Sequence, residues 1–217
     1  MISKITVLYG LIGIILGYTI PYLSFRIMEY KKGKGNVNSS KIALYSKIFK
    51  VFLSLSSCGV WMFIALNVND LFVGLLIGIL IILGLIIIFI DIQIRIIPNE
   101  LVIALAVVGI IFQLYSYGLL SMMIAIVCMV VMMGVFTSAA GFVGFGKVGA
   151  GDVKLSGAMG LALGYPLVIT AVEIMAIVLL VYITIGFVIK KIFLSTMLPL
   201  APFMISGFIF ALITLLF

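Results

Sequence analysis

Apolar residues in this chain arrive in blocks rather than in stripes. From Leu71 to Ile90 no position carries a charged or amide side chain. The period-2 pattern of a half-buried strand and the period-3.6 stripe of a soluble helix are both missing there. A helix rises ~1.5 Å per residue, so about 20 apolar residues cross a hydrocarbon core of roughly 30 Å. Backbone polar groups in lipid must be satisfied within the segment, which makes helices the expected element. Eight such segments are legible, at 2–25, 48–66, 71–90, 99–116, 119–143, 153–163, 166–189 and 195–217. They predict an all-α fold, a polytopic transmembrane helical bundle of about eight helices, with residues 1–217 forming a single membrane domain. The first segment is long enough to span and no small-x-small site closes it, so it reads as a first transmembrane helix rather than a removable signal.

The interruptions carry as much information as the blocks. Residues 26–47 form a short basic loop containing the flexible polar stretch GKGNVNSS at 33–40. Placing it on the cytoplasmic side sends the loops with Arg95, Lys147, Lys154 and Lys190–Lys191 to that side as well. The connections at 67–70, 117–118 and 164–166, which hold no basic residue, then fall outside together with both termini. That is the distribution the positive-inside bias demands. The sixth segment is too short for a full crossing, at ~16 Å for its eleven residues. Gly144, Gly146, Gly149 and Gly151 precede it, which suggests a tilted helix or a glycine-rich backbone dipping toward a watery cavity.

Composition fits this picture. Of 217 residues, 66% are hydrophobic and 9% charged, against about 25% charged in average soluble chains. The net charge of +7 is concentrated between Arg26 and Lys50, where seven bases face one acid, Glu29. Juxtamembrane bases mark the cytoplasmic side and favour anionic lipid head groups; lipid, not nucleic acid, is the expected partner of this loop. The chain has no histidine, which removes the commonest general base and commonest zinc ligand. Cys58 and Cys128 lie in separate apolar runs, giving neither a disulfide framework nor a metal site. Hydrolytic chemistry would have to come from six acids, thirteen bases and the hydroxyls.

Four of the acids have ordinary readings or open ones. Asp70 belongs to a polar external turn, Glu29 sits among lysines as a surface ion-pair partner, and Glu100 complements the dipole at the start of the fourth helix. Glu173 falls about a third of the way into the seventh segment, a depth at which ionisable groups are usually functional or paired. It is read either as a substrate-side group or as a packing contact. Asp91 and Asp152 remain. Asp91 closes the apolar run 71–90 and Asp152 opens the sixth segment, so both lie at one membrane level. Two carboxylates sharing one proton can activate water without histidine or metal. The helix dipole favours Asp152, at a helix start, as the ionised base and Asp91, at a helix end, as the protonated acid. The plainer alternative is that Asp152 caps its helix while Asp91 meets Lys147 or Arg95.

Four segments resemble the type IV prepilin peptidases. GAGDVKLSGAMG at 149–160 is similar to that family's G-x-G-D motif with its lysine two residues on. DIQIRIIPN at 91–99 resembles its first aspartate segment, which ends in a hydrophobic-Pro-Asn turn. LPLAPFMISG at 198–207 is similar to its Pro-x-x-Pro-aromatic segment, and GIILGYTIPYLSFRI at 13–27 to its glycine-rich first helix. The resemblance implies an inner-membrane aspartic endopeptidase of bacteria that cuts type IV prepilin or pseudopilin precursors after a glycine, at the cytoplasmic face. It implies Asp91 and Asp152 as the catalytic pair and Gly149, Gly151, Pro98 and Lys154 as residues that shape the loops. Glu173, Pro199 and Pro202 are candidate substrate contacts. No cofactor or metal is implied for proteolysis, while N-methylation of the new N-terminus would call for S-adenosylmethionine. Many bacterial members carry a zinc-type cysteine cluster between the first two helices; the 26–47 loop has no cysteine and stands in its place. Preflagellin and presenilin-like G-x-G-D proteases share parts of these motifs. A non-catalytic scaffold or small transporter is the reading from another class, and a transporter would show broken helices in both halves.

Overall fold

The computed structural model describes residues 4–32, 47–143, 149–189 and 199–217. Within them the regular structure is helical throughout: α1 (Lys4–Lys32), α2 (Lys47–Asn67), α3 (Leu71–Ile94), α4 (Asn99–Val143), α5 (Ala150–Leu163), α6 (Leu167–Val188) and α7 (Ala201–Thr214). Five of these are long and apolar enough to cross a membrane. The segments expected at 99–116 and 119–143 are both present as arms of the single run α4, which breaks at Gly118.

α4 nevertheless behaves as two helices. Its 45 residues, if straight, would reach about 68 Å, more than twice a hydrocarbon core. At Gly118 the backbone adopts φ 81° and ψ −173°, a conformation that only glycine enters at no steric cost. The chain doubles back there. Ser121 donates a hydrogen bond to Gln113 at 3.0 Å, across a sequence separation that a continuous helix would stretch to ~12 Å. Met122 and Ala125 of the second arm pack with Ala106 and Ile110 of the first.

α3 is the central post, meeting α1, α2, α4 and α7, and Leu80, Ile87 and Ile90 are wholly buried on it. Its apolar character on all sides follows from that position. Helices in lipid associate through close packing of small residues rather than through water exclusion. Gly13 and Gly17 of α1 lie against the α2 backbone at Ser57 and Leu53, and Gly78 of α3 accepts the Trp61 ring. α5 is held in the same way: added β-carbons at Gly157 and Gly160 would stand 2.7 Å from Met133 and 2.8 Å from the Cys128 carbonyl, and one at Gly109 would stand 2.6 Å from Ala162.

Polar contacts sort the loops to two ends. At one end Tyr9 donates to the Leu71 carbonyl, and Asp70 caps α3 by accepting from Phe72 and Val73 while taking the Tyr115 hydroxyl. The Phe72 and Val73 amides and the Tyr115 hydroxyl hold the Asp70 carboxyl below its ordinary pKa, so the cap is complete above the carboxylate range. At the other, basic end the one ion pair among the described residues joins Lys31 to Glu100 at 2.7 Å. Glu29, expected to pair with the lysines, is not part of it. This division agrees with the loop alternation expected from the bases.

Gln113 ties the α4 hairpin to the far end of α5. Fully buried, it donates to the Ala162 carbonyl at 3.0 Å and accepts from Ser121. Gln113→Leu should strand both partners and lower stability by about 1–3 kcal/mol, read as a depressed thermal midpoint of the detergent-solubilised protein. An unchanged midpoint would mean that this node does not hold α5.

Candidate active site

The basic end of the bundle contains a cavity of about 330 Å³, walled by residues 91–99 on one side and by 149–154 on the other. Asp91 and Asp152, 61 positions apart in sequence, both line it. Two residues expected at one membrane level thus share a cavity. Arg95 and Lys154 line it too, so two cations accompany the two carboxylates.

Each wall follows from local sequence. α3 ends where Arg95 takes a left-handed conformation at φ 53° and ψ 41°, its amide donating to the Asp91 carbonyl at 2.8 Å. A non-glycine residue in that region is uncommon. The sharp stop turns Ile96–Asn99 across the mouth of the cavity. Pro98 is buried, and its carbonyl accepts from Leu101 and Val102 as α4 begins. On the facing wall Gly149 is the N-cap of α5. A β-carbon at Gly151 would lie 3.1 Å from Ile97; glycine there lets the first turn of α5 approach the 95–98 turn.

The carboxyl groups have unlike surroundings. Asp152 is half-buried in the first turn of α5, and its Oδ2 accepts from the Gly149 amide at 2.9 Å. The capping expected as the plainer alternative is thus present, and it leaves the group inside the cavity. Asp91 is only 5% exposed, and its Oδ2 is buried with no hydrogen-bond partner. No ion pair joins it to Arg95, and Lys147 lies outside the described residues. The amide of Ala201, at the start of α7, faces its carboxyl. Asp91 therefore lies at the end of one helix and before the start of another, so the dipole contrast drawn from α3 alone is offset by α7.

The remaining candidates divide. Lys154 donates to Asn99 at 3.1 Å, linking the two walls. Pro199 and Pro202 stand outside the cavity and flank the start of α7, Pro202 within its first turn, where a missing amide hydrogen costs nothing. Glu173 is elsewhere, on the wall of a separate groove between α6 and the second arm of α4. Asn99 and Ala201 were not singled out by sequence reasoning. Asn99 ended a motif whose earlier residues drew attention, and a backbone amide leaves no residue-type signal.

The family model described as the type IV leader peptidase family matches residues 78–187, just over half of the chain. The matched stretch contains Asp91, both walls of the cavity and Glu173, and ends before Pro199. Comparison with curated proteins gives no match, and comparison with solved structures gives none.

The shared cavity is open to a direct check. In a background with Cys58 and Cys128 replaced by alanine, Asp91→Cys with Asp152→Cys should be bridged by a short thiol-reactive linker. Asp91→Cys with Glu173→Cys should not. Equal bridging of both pairs, or of neither, would contradict this arrangement.

Proposed function

The chain belongs to the type IV leader peptidase family, and on that premise we propose that it is an aspartic endopeptidase whose catalytic pair is Asp91 and Asp152. The observation that carries the proposal is that these two residues line one cavity while Asp91 keeps a buried oxygen with no partner. Two carboxylates facing one cavity cannot both ionise cheaply, so they share a proton. Asp91, the more enclosed, holds that proton. Asp152, whose Oδ2 already accepts the Gly149 amide, is the carboxylate that takes a proton from water.

The water oxygen then attacks the scissile carbonyl carbon while Asp91 gives its proton to the carbonyl oxygen. Collapse of the tetrahedral intermediate breaks the carbon–nitrogen bond, and the leaving amine takes up a proton from the pair. Arg95 and Lys154 limit the cost of negative charge in the cavity, and the Lys154–Asn99 bond keeps the walls in register. An extended peptide is the substrate form that suits such a site, because a scissile bond must leave its helix to be attacked. The basic end, with Lys31, Lys32, Lys47 and Lys50, is the cytoplasmic side by the positive-inside bias. The substrate class is type IV prepilin or pseudopilin precursors of the bacterial inner membrane, cut after a glycine that precedes their apolar stem. The proposal is hydrolysis alone; S-adenosylmethionine enters only if the same membranes also methylate the freed amine.

Membranes holding Asp91→Asn or Asp152→Asn at wild-type levels should lose processing of a prepilin-like precursor by at least about 100-fold, the scale of a missing general acid or base. Wild-type processing by either variant would refute the pair. The rate should also be bell-shaped in pH, its two limbs belonging to the coupled pair. Asp→Glu variants that retain activity should shift a limb; limbs unmoved by both changes would remove the assignment.

A further inference from the structure

The two cations of the aspartate cavity are not in the same situation. Lys154 donates to Asn99 at 3.1 Å and so joins the two walls. Arg95 lines the same cavity and is exposed, and its guanidinium makes no hydrogen bond or ion pair with a described residue. Neither aspartate uses it: Asp152 accepts from the Gly149 amide, and the buried Oδ2 of Asp91 has no partner.

Arg95 also holds its place at a steric cost. It closes α3 at φ 53° and ψ 41°, and among the described residues no other non-glycine residue has a positive φ. Glycine enters that region freely and is the usual residue where a helix stops in this way. An arginine there lowers stability for a side chain that the turn itself does not need. Backbone outliers of this kind gather at ligand-binding and active sites.

Hydrolysis supplies a ligand for such a group. A peptide bond enters the site uncharged. Attack by water and loss of the amine leave a carboxylate on the carbonyl side, and the freed amine takes up a proton. The aspartate pair ends the cycle with the one proton it began with, so its negative charge remains and repels the new carboxylate. A guanidinium presents paired N–H donors in a planar fork that matches a carboxylate.

We propose that Arg95 binds the carboxylate that the cut creates at the new C-terminus of the leader, which sets the carbonyl side of the scissile bond against the 91–99 wall. The inference rests on the peptidase reading above. The released leader is then a product held by its new charge, and the same peptide without that charge binds more weakly.

The test uses the full-length protein in phosphatidylethanolamine–phosphatidylglycerol vesicles and two fluorescent leader peptides. Both end in glycine, one with a free carboxylate and one with a C-terminal amide, and anisotropy reads each Kd without requiring turnover. Wild type should bind the carboxylate form about tenfold more tightly, equivalent to roughly 1.4 kcal/mol. Arg95→Gln and Arg95→Gly should bring the two values together, Arg95→Lys should restore part of the difference, and Lys154→Gln should retain it. Arg95→Gly should do so with a thermal midpoint equal to or above wild type, because glycine suits the left-handed turn; an arginine that only supports the fold would give the reverse. Equal Kd values for the two peptides in wild type, or a difference that survives Arg95→Gln, would overturn the assignment while leaving the aspartate pair standing. A wild type that fails to cut a prepilin-like precursor in the same vesicles would instead refute the peptidase reading on which it rests.

Discussion

A fourteen-residue helix reaches only ~21 Å and cannot cross a bilayer unaided; α5 lies in this bundle because the hairpin of α4 receives it. The contact is made where side chains are absent. Gly157 and Gly160 admit Met133 and the Cys128 backbone, Gly109 admits Ala162, and Gln113 satisfies the carbonyl at the far end. With no hydrophobic force between helices in lipid, closeness of this kind and a few hydrogen bonds supply the attraction. Asp152 is carried on the first turn of α5, so its height and direction are set by these distant contacts.

The electrostatics of the cavity follow from where helices begin and end. α5 and α7 both start beside it, and α3 stops there. Two helix starts bring partial positive charge, and Arg95 and Lys154 add full charges at the rim. These positive features offset the negative charge that the two carboxylates bring to the cavity. The chain has no histidine, so its acid–base chemistry at this end falls to carboxylates.

Much of this was legible in the sequence because lipid enforces simple rules. Apolar blocks gave the helices, the bases gave the division of loops between two ends, and glycine-flanked Asp152 with the run-ending Asp91 marked two residues that line the cavity. The limits were equally physical. Residues 99–116 and 119–143 read as separate helices, and the structure parts them at Gly118; what the sequence did not show is how tight that turn is. Lys31 bonds Glu100 across 69 positions, a pairing that closeness in sequence does not show. Ala201 could not be read at all, since it contributes an amide that every residue but proline possesses. Glu173 was noticed for its depth, and the structure places it on the wall of a separate groove.

The order of synthesis adds a consequence to the α4 hairpin. Its two arms emerge from the ribosome before residues 150–163, so the dock exists before the short helix that must moor in it. The α7 amide facing Asp91 emerges later still. A nascent chain therefore carries both aspartates before it carries the helix start that completes the surroundings of Asp91.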